Sequence, residues 1–331
     1  MKKKVFIGID VSKSKLDVTY CIGDNLQAYS HFIVSNNPKG FIQILKRLNK
    51  LEGDHDLWLV CFEDTGLYSI GLALFFQEQG IDFCQESALR IKLSMGIKRG
   101  KNDKLDSREI AQYAYTHKEK LRLTDMPKER LLELKVLLSY RDRLLKQKNA
   151  LLVAARESYE CFGNETTQFI LEDSQEIIAQ YNQKLKDIER RIKEYIQDDE
   201  ELRQNYDLAT SVVGVGPIII AYMLVQTNNF RLYNPREYAC HTGVAPHEHS
   251  SGTDLPLRRT TSKMANKKMK TLLTNGANSA IMYDPQLKLY HSRKVKEGKN
   301  KYSVLNAVRF KLIARVFSVV KRGTPYVKMA H

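Results

Sequence analysis

Four carboxylates stand where divalent-metal chemistry is expected. Asp10 ends one apolar stretch of the chain and Glu63 ends a second. Asp103 and Asp106 are three residues apart where a helix is predicted to begin, so they share one face of that helix. A carboxylate at the end of a buried strand is costly unless it is paired or bound to a metal ion. The four together are hard oxygen ligands, suited to Mg²⁺ or Mn²⁺, and two such ions can clamp the attacking and leaving oxygens of a phosphodiester.

Each carboxylate also has a structural interpretation. A lone Asp at the end of a strand commonly forms a turn, and Asp103 stands where a helix cap would be. Lys101, beside Asp103, is either a phosphate contact or a solvated side chain. The order of the elements favours metal chemistry, because a strand with Asp, a hairpin, a strand with Glu and a helix start with two Asp match a ribonuclease-H-like nuclease core.

The hydrophobic pattern predicts the elements that position the four carboxylates. β-rich apolar runs predict strands at 5–11, 16–22, 57–62 and 81–84. A helix is predicted over 65–79, closed by Gly80, and another after Lys104. We therefore predict an α/β domain over residues 1–120.

The remainder of the chain is predicted to be mainly helical. In 121–206, leucine pairs and a three-and-four spacing of apolar residues indicate two long helices in a coiled-coil linker, either a hairpin or a dimer stalk, with an ordinary helical bundle as the alternative. In 207–331, the glycine turn at 212–217 resembles that of a helix-hairpin-helix. Such a turn either approaches a phosphate or only packs helices.

The charge of the chain favours a polyanionic partner. The 331 residues include 53 Lys and Arg against 38 Asp and Glu, a formal net charge of +15. Nucleic acid is the commonest such partner, although a merely soluble basic protein is the alternative. One basic run is the candidate contact segment, unless it is a solvated helix face: Arg258, Arg259, Lys263, Lys267, Lys268 and Lys270.

Five scattered cysteines without a CxxC pair favour reduced thiols over structural zinc, and no apolar stretch is long enough to span a bilayer. We expect a soluble, cytoplasmic, nucleoid-associated protein.

Several motifs, in the same order along nearly the whole chain, resemble those of one family. They are Gly8–Lys13, Glu63–Gly66, Lys101–Asp106, Val213–Gly216, Thr242–Pro246, Ser250–Gly252 and Ser262–Leu273. These motifs resemble the DEDD insertion-sequence transposases, the Piv-invertase-like enzymes of the insertion-sequence-110 family. Two departures are Asn102, where the family usually has Thr, and Asp64, where a small residue is common, so that the choice between Glu63 and Asp64 as metal ligand is open.

The resemblance implies a RuvC-like nuclease domain over 1–120, a coiled-coil linker used in dimerisation over 121–206, and a C-terminal transposase domain over 207–331. It implies that Asp10, Glu63, Asp103 and Asp106 bind Mg²⁺ or Mn²⁺. It also implies a serine that attacks DNA and forms a phosphoserine intermediate; Ser251 is the matching position and Ser250 the runner-up. His247 and His249 are close enough in sequence to act as base or phosphate ligand, or are solvated loop residues.

The same resemblance implies an enzyme that excises and inserts an insertion sequence. A noncoding bridge RNA would pair with both donor and target DNA, and two dimers would form a synaptic tetramer. The alternative is a RuvC-like metal-dependent nuclease or Holliday-junction resolvase that uses water as nucleophile. An actin-like sugar kinase is disfavoured because the basic second half offers no second glycine-rich phosphate domain, and a non-catalytic RNA scaffold is disfavoured by the intact carboxylate set.

Overall fold

The chain folds into two compact units, Met1–Met126 and Pro127–His331. The first is α/β and the second is helical, which confirms the predicted combination of classes. The structure is a computed structural model that describes residues 3–23, 28–51, 54–95, 102–245 and 265–328.

A five-stranded mixed sheet forms the centre of the first unit. Its order is β3-β2-β1-β4-β5, with β1 antiparallel to β2 and parallel to β4. The strands at 5–11, 16–22, 57–62 and 81–84 were predicted within two residues of their observed ends, whereas β3 was not predicted. The strands are β1 (Val5–Val11), β2 (Lys15–Ile22), β3 (Ser30–Ser35), β4 (Trp58–Glu63) and β5 (Phe83–Glu86).

Helices cover both faces of this sheet. On one face, Phe6 of β1 packs in a hydrophobic cluster with Ile91 and Ile110 from two of the helices. On the opposite face, the Phe62 ring of β4 lies 6.3 Å from that of Phe76. The sheet is therefore the middle layer of three, which explains why β1 is apolar on both sides. The helices are α1 (Pro38–Leu48), α2 (Leu67–Glu78), α3 (Ala88–Met95) and α4 (Asp103–His117).

Two long helices begin the second unit and run antiparallel to each other. Near one end Arg130 stacks over the Tyr195 ring at 3.8 Å, and farther along Arg141 pairs with Glu189 at 2.6 Å. As the residue number increases along the first helix, that of its contact in the second helix decreases, so the two helices form an antiparallel hairpin. It consists of α5 (Glu129–Phe162) and α6 (Glu165–Gln197), joined by Gly163, whose left-handed backbone ends α5, and Asn164, which caps α6.

Within the described residues of the second unit, six shorter helices pack around one core. Leu131 and Leu138 of α5 and Ile196 of α6 belong to the same buried cluster as Ile220 and Leu312, so the base of the hairpin packs with the C-terminal helices. The helices are α7 (Glu200–Thr210), α8 (Pro217–Gln226), α9 (Pro235–His241), α10 (Lys267–Tyr283), α11 (Pro285–Lys296) and α12 (Lys301–Arg322). Among the described residues, no helix is long and apolar enough to cross a membrane.

The glycine turn between α7 and α8 packs directly against α10. Gly214 has a φ of +86°, and a Cβ there would lie 2.4 Å from the carbonyl oxygen of Gly276. A Cβ at Gly276 would in turn lie 2.6 Å from the Gly214 oxygen. Helix packing therefore explains the glycine at 214, whereas Gly216 has open space where its side chain would be.

Candidate active site

Strand β1 places Asp10 within a row of four carboxylates that crosses the sheet from β2 to β5. In the register of the sheet, Asp10 of β1 lies opposite Asp17 of β2, and Glu63 of β4 lies opposite Glu86 of β5. Because side chains alternate along a strand and β1 pairs with β4 as far as Ile9↔Phe62, these four acids lie on the same face of the sheet. It is the face that α4 covers.

Helix α4 brings two more carboxylates to Asp10. Its N-cap is Asn102, whose side chain accepts a hydrogen bond from the Lys104 backbone N–H at 3.0 Å, so the capping role considered for Asp103 belongs to its neighbour. Asp103 and Asp106 then lie in the first helical turn. One carboxylate oxygen from each, together with one from Asp10, fall within 4.8 Å of one another. Three of the four predicted metal ligands therefore converge on one place.

A glycine in β1 allows this convergence. A Cβ at Gly8 would lie 2.2 Å from both the backbone nitrogen of Ala111 and the backbone oxygen of Ser107. Next to this contact, the hydroxyls of Ser107 and Thr19 are hydrogen bonded at 2.7 Å, and both residues are buried. Helix α4 thus sits directly on the backbone of β1, two residues before Asp10.

Glu63 belongs to this charged region without joining the group of three within 4.8 Å. It is the last residue of β4, and its charge contributes to the pKa of Asp10. The adjacent Asp64 has a different contact, since its side chain accepts a hydrogen bond from the Gly66 backbone N–H at 3.1 Å and so stabilises the turn before α2.

The electrostatics of the cluster favour a bound cation. Burial has the largest effect on the pKa of Asp10, followed in decreasing order by the charges of Asp103, Asp106, Glu63 and Asp17, and together they raise this pKa to about 6. Removing a carboxylate from water and placing it among like charges both disfavour the ionised form. A divalent cation held by these oxygens would relieve both penalties.

The structure adds residues to this site that the sequence reasoning missed. The Lys15 ammonium lies 2.7 Å from Asp103 and 3.1 Å from Asp17. The Arg90 guanidinium lies 3.3 Å from Glu86. The sequence did contain an indication of the Lys15–Asp17 contact. Lys15 and Asp17 are charged residues two positions apart, so they share one face of a strand whose other face is apolar.

Several predicted site residues lie outside the described part of the chain. They are Lys101, His247, His249, Ser250, Ser251, Arg258, Arg259 and Lys263.

The remaining members of the predicted basic segment form the first turn of α10. Lys268 pairs with Asp142 of α5 at 2.5 Å. Lys270 is partly buried, and this burial lowers its pKa. Of these three lysines, Lys267 is exposed and the other two are partly buried. The start of α10 therefore directs much of its charge toward the protein rather than toward solvent.

A cationic groove lies between α11 and α12. Its volume is about 660 Å³. Arg315 is held in its wall by buried Asp284 at 2.9 Å and by Gln286, while Lys311 lies 4.5 Å from the centre of the Tyr290 ring. The lining contains three cationic side chains and no acid: Gln286, Leu287, Leu289, Tyr290, Arg293, Lys311, Ala314 and Arg315.

Comparisons with known proteins agree with the carboxylate cluster. A model of DEDD transposases of the IS110 type matches residues 7–157, which include all four predicted ligands. A second model, described as the transposase IS116/IS110/IS902 family, matches residues 206–292. The chain is also 23% identical to the pilin gene-inverting protein of Moraxella lacunata and 22% identical to that of Moraxella bovis, in each case over 99% of both chains.

The α/β unit with its carboxylate cluster and the two matching family models define a DNA transposase, an enzyme that cleaves and rejoins DNA strands. The chain belongs to the IS110 family of transposases. A DEDD transposase uses a divalent metal ion, and the three converging carboxylates fit one, because they supply hard oxygen ligands and Asp10 is ionised at a cost that a cation offsets.

Proposed function

We propose that this transposase excises and inserts an insertion sequence with Mg²⁺ bound by Asp10, Glu63, Asp103 and Asp106. The observation that carries the proposal is the convergence of oxygens from Asp10, Asp103 and Asp106 within 4.8 Å. Glu63, one step along the neighbouring strand and on the same face as Asp10, is the fourth ligand. Mn²⁺ has the same preference for oxygen and substitutes for Mg²⁺.

The cluster acts on the phosphodiester through charge. A divalent ion held by Asp10, Glu63, Asp103 and Asp106 would supply positive charge that polarises the scissile phosphate and stabilises the departing oxygen. These carboxylates would hold the ion on a rigid base, because Asp10 lies in β1 and Asp103 and Asp106 lie in the first turn of a helix packed on that strand. Rigid support is what preorganised electrostatic stabilisation requires.

The nucleophile in this proposal is the Ser251 hydroxyl, with Ser250 as the alternative. Its oxygen forms a bond to phosphorus, one P–O ester bond of the DNA breaks, and the serine proton passes to the deoxyribose hydroxyl that leaves. A hydroxyl on a partner strand reverses the step, which restores the serine and joins the new strands. The phosphodiester energy is kept in the serine link, so rejoining needs no external energy source. His247 and His249, close to Ser251 in sequence, are candidates for the base that accepts its proton.

The proposed partners are donor and target DNA, a noncoding bridge RNA that selects both, and further copies of the chain as a dimer and a synaptic tetramer. The relatives are named for inverting a pilin gene, which is another rearrangement made by cleaving and rejoining strands. In this proposal residues 1–120 are a RuvC-like nuclease domain, 121–206 a coiled-coil linker and 207–331 the transposase domain. Residues 127–206 also contribute to the core of the second unit, so the linker is anchored there.

We further propose that nucleic-acid phosphates contact the groove between α11 and α12. Arg293 is 67% exposed in its side chain, and Lys311 lines the same groove. Cationic side chains in a groove whose lining residues include no acid attract the phosphate backbone independently of its sequence. Lys101, Arg258, Arg259, Lys263 and Lys267 are the other proposed contacts; Lys268 and Lys270 contribute to the potential from partly buried positions.

The nucleophile is tested by trapping the covalent intermediate. Purified protein is incubated with donor DNA, target DNA, the element's RNA and Mg²⁺, and the denatured products are mapped by mass spectrometry after proteolysis. The expected result is a nucleotide on the peptide that contains Ser251, lost in Ser251→Ala and kept in Ser250→Ala. Cleavage without any adduct would instead support a nuclease or junction resolvase that uses water.

A further inference from the structure

Lys15 connects the carboxylate cluster to the buried carboxylate of Asp17. The residue begins β2, and its ammonium nitrogen lies 2.7 Å from Oδ2 of Asp103 and 3.1 Å from Oδ2 of Asp17. Asp103 is a proposed metal ligand, whereas Asp17 is the cross-strand neighbour of Asp10. One lysine therefore bridges two carboxylates that belong to different elements.

Asp17 is built into the sheet in a way that fixes this lysine. The residue is 2% exposed, and its Oδ1 lies 3.0 Å from Nε2 of His31 in β3. A buried carboxylate has to be compensated by neighbouring charges or donors, and breaking such a pair is costly. Lys15 compensates the charge of Asp17 on the side of the carboxylate cluster, and His31 orients the Asp17 side chain from the side of β3. The lysine is thus held where it reaches Asp103.

We propose that Lys15 is a positioning residue that acts as an internal counter-cation: it holds Asp103 beside Asp10 and Asp106 in the metal-free protein and releases it to the divalent ion. The inference rests on the proposed metal site and goes beyond it, because it assigns a function to a lysine outside the DEDD set. The ammonium and the ion compete for the same oxygen, so Lys15 lowers metal affinity. In exchange, it keeps the carboxylates together when no ion is bound.

Competition and a purely structural role predict opposite changes in metal affinity when Lys15 is removed. If Lys15 only braced the site, its removal would loosen Asp103 and weaken metal binding. If it competes with the ion, Lys15→Met removes a positive charge 2.7 Å from a carboxylate oxygen of Asp103, and the affinity for Mn²⁺ rises by about tenfold. Lys15→Arg retains the charge and keeps the affinity near that of the wild type.

The experiment measures Mn²⁺ dissociation constants by titration calorimetry on the full chain without nucleic acid. Lys39→Met, an exposed lysine on α1, is the matched control and is expected to bind as the wild type does. In parallel, the ¹⁵N resonance of the Lys15 ammonium, assigned by its loss in Lys15→Arg, is expected to shift when Mg²⁺ is added. This resonance decides the question even if Lys15→Met does not fold.

The outcomes separate this inference from the proposed function. Two results would overturn the role of Lys15 without affecting the proposed metal site. The first is Mn²⁺ binding by the wild type together with unchanged or weaker binding by folded Lys15→Met. The second is a Lys15 resonance that does not shift when Mg²⁺ is added. Absence of Mn²⁺ binding by the wild type would overturn both. Tighter binding by Lys15→Met, restored to the wild-type value in Lys15→Arg, supports the competition.

Discussion

Gly8 and Ala111 are in direct backbone contact, since a Cβ at Gly8 would lie 2.2 Å from the Ala111 nitrogen. This contact sets the distance between β1 and α4, and therefore the distance between Asp10 and the pair Asp103 and Asp106. The proposed metal site therefore depends on a position that bears no functional group.

The first prediction concerns that contact. Gly8→Ala places a methyl group against backbone atoms that cannot rotate away, so α4 has to move off the sheet. We expect a loss of about 3 kcal/mol in the free energy of unfolding, measured with denaturant, and a loss of Mn²⁺ binding. Gly71→Ala is the control, because its Cβ would meet the Phe41 ring at an ordinary 3.6 Å and α2 would gain up to about 1 kcal/mol. Equal stability of Gly8→Ala and wild type would refute the role of the close approach.

The second prediction concerns the charge of Asp10. Burial and the neighbouring carboxylates disfavour its ionised form. Asp10→Asn should therefore stabilise the metal-free protein near neutral pH by on the order of 1 kcal/mol, a figure reduced for the partial exposure of the site. The same variant should lose the rise in melting temperature that Mg²⁺ gives the wild type. Asp54→Asn, at an exposed position, should change neither quantity. A metal-free Asp10→Asn protein that is less stable than the wild type would contradict the electrostatic argument.

The third prediction is a pH dependence in the second unit. His241 stacks on Tyr233 and Tyr238, with ring centres 5.3 and 6.1 Å away, and burial lowers its pKa below 6.5. The unfolded chain therefore takes up a proton near pH 6.5 that the folded chain binds only at lower pH. Stability should be unaffected by His241 above pH 6.5 and should fall as the pH drops below it.

His241→Gln tests this linkage. Denaturant unfolding of both proteins between about pH 7.5 and about pH 5.5 should show a shallower loss of stability for the variant. Parallel pH profiles for the two proteins would mean that the buried imidazole does not contribute.

The fourth prediction concerns the groove between α11 and α12. Replacing Arg293 and Lys311 together by Ala should weaken binding of duplex DNA and reduce the slope of log K against log salt by about 1.8, the value for two lost phosphate contacts. The double variant Lys184→Ala and Lys186→Ala on α6 removes the same charge from exposed helix positions. Identical losses in the two double variants would show that only net charge matters.

The sequence was most informative where a side chain's role follows from its own element. Asp10 was predicted as a ligand because it ends an apolar run of the sequence, and Asp103 and Asp106 because a helix was predicted to start there, and these three carboxylates do converge. Lys15 was missed because its partner, Asp103, is 88 residues away in sequence. Only the register of β2 against β1 and the seating of α4 bring the two together.

Two other differences have similar causes. In β3 the run His31–Val34 hides the alternation of a half-exposed strand, since Ile33 is apolar yet 52% exposed. Lys268 was grouped with a basic face, but its ion pair with Asp142 joins α10 to α5, and no local pattern reveals such a contact.

The most direct test of the metal site is anomalous diffraction from crystals soaked in Mn²⁺. The account predicts an anomalous peak between the carboxylates of Asp10, Asp103 and Asp106, about 2.1 Å from at least three of their oxygens, and its loss in Asp10→Asn crystals. A well-ordered cluster with no peak, or a peak elsewhere with none here, would contradict the central claim that these carboxylates hold the ion with which the transposase cleaves DNA.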